Sequence, residues 1–135
     1  MLCINNYTHK YINECRSKVD LQLSTYKKFV PKTGSAKEPF ETSFFNHLVM
    51  ALDYYFIHRS RTLELNEGNP CNEVRMLCYS IMSHNNKLTP QYKNTIYNPD
   101  KSVLKYKIGD EIKLTEPQFS LLYKAFFADI EKKFL

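Results

Sequence analysis

The strongest pattern in the sequence is a helical run of apolar residues in the middle of the chain, between positions 40 and 64. At about 100° per residue, its large apolar side chains fall on one broad arc, as a helix with a deeply buried face requires. These side chains are Phe44, Phe45, Leu48, Val49, Leu52, Tyr55 and Phe56. We therefore predict a central helix over residues 40–64. Its polar side carries Asn46, His47, Asp53, Tyr54, His58 and Arg61.

Three further segments repeat the three- and four-residue spacing of an amphipathic helix. The first covers about residues 7–30 and is followed by Pro31 and a polar linker at 32–39. The next covers about 70–84, where Gly68 suits a helix exit, Asn69 an N-cap and Pro70 the first helical position. The last starts at a capping box in residues 115–118 and runs to about 134. The short connection predicts that the second and third helices are antiparallel neighbours.

Between the third and last helices the period changes to an alternation of apolar and polar residues. This alternation predicts short strands at 95–97 and within 103–114. A three-residue loop at 109–111 places Ile108 opposite Ile112 and Tyr106 opposite Leu114, a better apolar match than a two-residue loop provides. The expected fold is mainly α (α+β), with four helices around a central buried helix. A small antiparallel β-hairpin or three-stranded meander precedes the last helix, and residues 1–135 form one domain.

Composition adds few constraints on function. The chain of 135 residues has a net charge of +5, with the excess at its two ends. Such a charge is compatible with an anionic partner but is modest for a nucleic-acid-binding protein. Asp53 interrupts the longest apolar run, so we expect no membrane segment. Without a signal-peptide pattern at the start, we expect a cytoplasmic protein whose four cysteines are reduced.

The candidate ligand site is the polar stretch from His58 to Arg75. Its members are His58, Arg59, Arg61, Glu73 and Arg75. One interpretation is that exposed amide groups at the start of the third helix, with arginines across the turn, bind a phosphate or carboxylate of a small ligand, nucleotide or RNA. The other is that these charges only offset the helix dipoles, with an Arg–Glu pair joining the two helices.

Other chemistry has weaker support in the sequence. Cys71 lies where a helix N-terminus lowers a thiol pKa, with His58 as the nearest base, but its spacing from Cys78 is typical of small core residues. His47 and His58 lie about 16 Å apart along one helix, too far to share an ion. We expect no metal or cofactor, although one histidine could join ligands from other helices.

The predicted strands carry lysines with tyrosines nearby. This surface either binds single-stranded nucleic acid or is the solvated face of an edge hairpin. The residues concerned are Tyr92, Tyr97, Lys101, Lys105, Lys107 and Lys113.

One resemblance covers residues 40–135. The residues that carry it are His58-Arg59, Gly68-Asn69-Pro70, Asn72-Glu73-Val74-Arg75, Gly109-Asp110-Glu111-Ile112 and Ala125-Phe126-Phe127. With these the chain resembles small bacterial proteins of unassigned activity, which implies no mechanism. The leading hypothesis is a non-catalytic binding or protein-interaction module that self-associates, because aromatic-rich bundles often leave an apolar face for a partner. The alternatives are an anion binder at the His58–Arg75 turn and a thiol-dependent enzyme using Cys71.

Overall fold

Five helices make up the regular structure of the protein, which a computed structural model describes over residues 2–135. They are α1 (His9–Phe29), α2 (Lys37–Tyr55), α3 (Arg61–Glu64), α4 (Pro70–Ser83) and α5 (Glu116–Phe134). The helices α2, α4 and α5 pack against one another, and α1 lies against α2 and α5. The mainly-α class is therefore confirmed. The central position predicted for α2 is shared with α5, since each of them contacts the three other long helices.

The predicted helix starts after the central helix are confirmed. Asn69 caps α4 by accepting a hydrogen bond from the Asn72 amide, and Pro70 is the first helical residue. Thr115 and Gln118 form a capping box at the start of α5. These signals act within one turn, so they operate whatever packs against the helix. None of the helices in residues 2–135 is both long and apolar enough to cross a bilayer.

Aromatic side chains fill the core between the helices. Six phenylalanines are fully buried there, namely Phe45, Phe56, Phe119, Phe126, Phe127 and Phe134. Tyr7, from the segment before α1, packs edge-on against Phe56 with ring centroids 4.9 Å apart. Phe126 lies beneath the guanidinium of Arg59, 5.5 Å from its ring centroid. The aromatic core thus also supports one of the candidate site residues.

The predicted extent of the central helix, residues 40–64, is wrong at its C-terminal end. The helix α2 stops at Tyr55, residues 56–60 form a turn, and α3 begins at Arg61. The N-terminal segment explains the break, because the Ile4 amide donates to the His58 carbonyl at 2.7 Å and the Ser60 amide donates to the Ile4 carbonyl at 2.8 Å. These backbone groups are therefore unavailable to a continuing helix.

Two residues expected on the polar side of α2, Asn46 and Asp53, are buried. Asn46 donates from Nδ2 to the Ile112 carbonyl at 2.9 Å and accepts from the Leu114 amide at 3.3 Å. Because a buried backbone group without a partner is costly, this one amide side chain fixes the segment that leads into α5.

The predicted hairpin or meander is also wrong. Within the described chain, residues 85–115 contain no strand and only one isolated bridge, between Lys87 and Glu111. Backbone amides that would pair with a neighbouring strand donate to a side chain instead. The Glu73 carboxylate accepts hydrogen bonds from Val103 N at 2.8 Å and from Leu104 N at 3.0 Å. Without strands, the expected lysine-bearing strand surface does not form.

The apolar match that favoured the hairpin register is also broken. Ile108 is 52% exposed while Ile112 is fully buried, so the two do not share one face. Lys105 adopts a left-handed φ of 61°, which ends any extended run at that point.

Candidate functional site

A buried ion network ties the end of α2 to α3 and α4, with Arg59 at its centre. The Arg59 side chain is fully buried, and its Nε donates to Glu64. Its Nη1 donates to the Phe56 carbonyl at 3.0 Å and its Nη2 to the Cys71 carbonyl at 3.3 Å. Asp53 Oδ1 lies 2.9 Å from Nη2, too poorly aligned for a hydrogen bond but close enough for an ionic contact.

Arg59 is therefore a structural cation. Burial acts to lower its pKa, but Asp53 and Glu64 outweigh burial and raise the pKa above its ordinary value. All three nitrogens of its guanidinium have partners inside the protein. A ligand would have to displace those partners to reach it, so Arg59 is unsuited to ligand binding.

Arg75 differs from Arg59 because only one edge of its guanidinium is occupied. Its Nε lies 2.9 Å from both oxygens of the buried Glu64 carboxylate. Asn72 Nδ2 donates to the same carboxylate at 2.9 Å, which fixes the carboxylate in place. Burial lowers the pKa of Arg75, Arg59 adds to this effect and Glu64 opposes it. A guanidinium stays protonated in proteins, so Arg75 presents a positive charge whose position is fixed by Glu64.

The N-terminus of α4, where amide groups were expected to receive a ligand, is already occupied. The Asn72 amide donates to Asn69 Oδ1 at 2.9 Å, and the Cys71 amide donates to Asp129 Oδ2 at 3.3 Å. Asp129 is buried and pairs with Lys133 at 3.1 Å. A carboxylate of the protein itself thus takes the position that an anionic ligand would occupy at this helix end.

The structure separates the five predicted site residues. Arg61 and Arg75 line one cavity. Arg59 lies in the buried network, and Glu73 holds the backbone of residues 103–104. The His58 side chain is exposed, and its carbonyl pairs with the N-terminal segment.

The cavity between Arg61 and Arg75, called the arginine cavity below, has a volume of about 180 Å³. Its second wall is the loop 91–95, which sequence reasoning did not connect to the arginines. The guanidinium of Arg61 lies 5.9 Å from the ring centroid of Tyr92 in this loop. Asn66 Nδ2 donates to the Asn94 carbonyl at 3.0 Å and so fastens the loop to the turn after α3. This contact joins distant segments, so no local pattern in the sequence indicates it.

Catalytic and metal-binding residues are not assembled around the arginine cavity. Cys71 is fully buried, and burial raises the pKa of its thiol despite the nearby Arg59. This environment disfavours the thiolate that a nucleophile requires. Within residues 2–135, no three His, Cys, Asp or Glu side chains come together as a metal site requires.

The chemistry of the arginine cavity comes from two guanidiniums, an aromatic ring, neutral amides and the Glu64 carboxylate, which is already paired with Arg59 and Arg75. It can hold an oxyanion by charge and by hydrogen bonds. Gln91 and Asn94 add polar groups to the lining. In comparisons with protein-family models, curated proteins and solved structures, no match to this chain was found, so its function is argued from this geometry.

Proposed function

We propose that the protein is a non-catalytic binding module that holds a small anionic ligand in the arginine cavity. The observation that carries this proposal is that the three arginines differ in how many of their guanidinium donors are paired within the protein. Arg59 is fully engaged inside the protein, whereas Arg75 is engaged only through Nε and Arg61 is exposed against Tyr92. In residues 2–135, no carboxylate lies within ion-pair distance of Arg61, and Arg75 pairs only with Glu64.

The charges around the cavity favour an anion. Three arginines stand against two carboxylates, Asp53 and Glu64, and both carboxylates contact Arg59. Glu64 also pairs with Arg75, so one net positive charge remains, and among residues 2–135 it is Arg61, in the cavity lining, that has no carboxylate partner. Because the cavity is partly enclosed, water screens charges inside it less than at an open surface. An anion in the cavity therefore interacts more strongly with the arginines than an anion at an open surface does.

The same geometry supports binding over catalysis. Glu64 is the carboxylate in the cavity lining, and it accepts hydrogen bonds from Arg59, Arg75 and Asn72. A general base needs a free oxygen within reach of the proton that it removes. Glu64 would have to give up these partners to act as a base, and the network would then lose its central anion.

The proposal is tested by titrating the full chain with inorganic phosphate at low ionic strength while following the backbone amide NMR signals. We expect saturable shifts centred on residues 91–95 and on Arg75. Arg61→Gln should weaken binding about tenfold or more, the equivalent of one lost hydrogen bond to a charged group. Because Arg61 is exposed, this substitution leaves the fold intact.

Lys10→Gln provides the matched control, since it removes one exposed positive charge from α1, outside the lining of the cavity. Its affinity for phosphate should equal that of the wild type. The proposal is refuted by an absence of saturable shifts in the wild-type protein. Equal weakening by Lys10→Gln and Arg61→Gln would also refute it, because binding would then depend on net charge alone.

Self-association is a second candidate, supported by an apolar groove on the exposed side of α2. Phe40, Phe44, Leu48 and Ala51 line this groove of about 380 Å³, and Phe40 is 46% exposed. Phe40 stacks on Phe44 with ring centroids 5.7 Å apart. In a two-fold dimer the same apolar patch of each copy would meet the other, and Phe40 would be covered at the contact.

Sedimentation of the wild type and of Phe40→Ser tests this second candidate. The wild type should be a dimer at high micromolar concentration, and Phe40→Ser should be a monomer. Tyr54→Ser is the control, because Tyr54 is a more exposed aromatic residue on the same helix but outside the groove. A monomeric wild type would remove the candidate.

A further inference from the structure

Two arginines, Arg61 and Arg75, line one small space, the arginine cavity. Arg75 uses Nε for Glu64, and within residues 2–135 neither of its Nη nitrogens donates to another group. Arg61 lies over the ring of Tyr92, and within residues 2–135 its guanidinium donates no hydrogen bond to the protein. Each of these guanidiniums can therefore offer a ligand a pair of N–H groups in one plane, called a donor fork below. Two donor forks are available in the cavity.

The volume of the cavity limits the ligand to a compact group. At about 180 Å³ it is smaller than the roughly 300–1,000 Å³ of clefts that enclose a drug-sized molecule. A whole nucleotide would not be enclosed by this space. The space fits a charged head group and a few neighbouring atoms of the ligand.

The number of donor forks distinguishes between oxyanions. A carboxylate has two oxygens and one negative charge, so one fork satisfies it. A phosphate monoester carries a charge of about −1.5 to −2 at neutral pH and three terminal oxygens that accept hydrogen bonds. Its three oxygens can therefore accept hydrogen bonds from Arg61 and Arg75 together.

From these observations we infer that the arginine cavity selects the dianionic head group of a phosphate monoester over carboxylates and phosphate diesters. This inference rests on the proposed function and names its ligand class. The lining amides of Asn66, Gln91 and Asn94 are neutral hydrogen-bonding groups. They suit the hydroxyl groups of a sugar-like alcohol, so the favoured monoester is one of a small polar alcohol rather than of an apolar one.

The inference is tested with four probes titrated into the full chain under identical conditions. These are ribose 5-phosphate, inorganic phosphate, dimethyl phosphate and acetate. We expect ribose 5-phosphate to bind at least as tightly as inorganic phosphate, because the amides add contacts to its hydroxyl groups. Dimethyl phosphate and acetate each carry one negative charge and two terminal oxygens, so they should bind about tenfold or more weakly through the loss of at least one hydrogen bond to a charged group.

Arg61→Lys gives the matched variant for this comparison, because it keeps the charge but removes one donor fork. It should lose most of the preference for ribose 5-phosphate over acetate while still binding both. Acetate binding as tightly as ribose 5-phosphate would overturn the selectivity and leave anion binding in place. Inorganic phosphate binding while the ester is excluded would overturn the ester assignment alone. No binding of any probe would overturn the proposed function itself.

Discussion

Replacing Glu64 by glutamine perturbs the buried network at the group on which two arginines depend. The carboxylate is fully buried and accepts hydrogen bonds from Arg59, Arg75 and Asn72. Glutamine keeps the shape and one acceptor oxygen but removes the charge, so two guanidiniums are left with Asp53 as their counterion. Breaking a buried ion pair costs roughly 3–5 kcal/mol, and the retained acceptor places Glu64→Gln near the lower end, at about 3 kcal/mol.

Urea unfolding followed by circular dichroism measures this loss. A domain of this size is stable by roughly 5–15 kcal/mol, so the variant remains folded but is markedly weakened. With a slope of roughly 2 kcal/mol per molar urea, the midpoint should fall by about 1.5 M. Glu111→Gln is the control, because Glu111 is exposed and lies 3.5 Å from an exposed Lys113. Its effect should be within about 0.5 kcal/mol.

A double-mutant cycle checks that the network is the cause. Adding Arg75→Gln to Glu64→Gln removes one of the two arginine charges that Glu64→Gln leaves without its carboxylate. The double variant should therefore lose about 1 kcal/mol or more less free energy of unfolding than the sum of the two single losses. If Glu64→Gln costs less than about 1 kcal/mol, or if the two substitutions are additive, the network does not stabilise the junction of α2, α3 and α4 as argued from its burial and contacts.

Three further predictions concern other parts of the protein. A thiol reagent at neutral pH should label Cys3 alone in the folded chain, because burial raises the pKa of the other three thiols; rapid labelling of a second cysteine would contradict this. Asn46→Ala should lower the free energy of unfolding by roughly 1–3 kcal/mol in urea, since it strands a buried amide and a carbonyl. Burial first, then nearby carboxylates, raises the pKa of Tyr26 and Tyr123 to about 12, from an ordinary value of 10.0. The unfolded chain therefore loses these phenolic protons first, and urea stability should fall from about pH 10 upward, less steeply in the double Tyr→Phe variant.

The features that sequence reasoning found are those whose causes lie within a few residues. Asn69 and Pro70 start α4, and Thr115 with Gln118 starts α5, because caps act inside one helical turn. The end of α2 was missed because its cause is Ile4, which is distant in sequence. The expected hairpin failed for a similar reason, since Glu73 takes amides that an alternating pattern assigns to a strand partner.

The candidate site divides in the same way. Arg61 and Arg75 stood out because charges beside a helix turn are visible in the sequence. The sequence could not show which arginine would have all its donors paired inside the protein, because that depends on burial around Glu64. The loop 91–95 joins the cavity through Asn66 and the Asn94 carbonyl, a contact between two segments that each look like ordinary turns.

The turn at residues 56–60 and the end of α5 both pair with the segment before α1, and this has a kinetic consequence. Ile4 pairs with the turn itself, while the Tyr7 amide donates to the Phe134 carbonyl at 2.6 Å. Such contacts close very long loops, and their entropic cost is recovered only after much of the intervening chain is ordered. In a mutational analysis of folding kinetics we expect φ values near zero at Ile4 and Tyr7, so that the turn pairs with the N-terminal segment only after the rate-limiting step of folding.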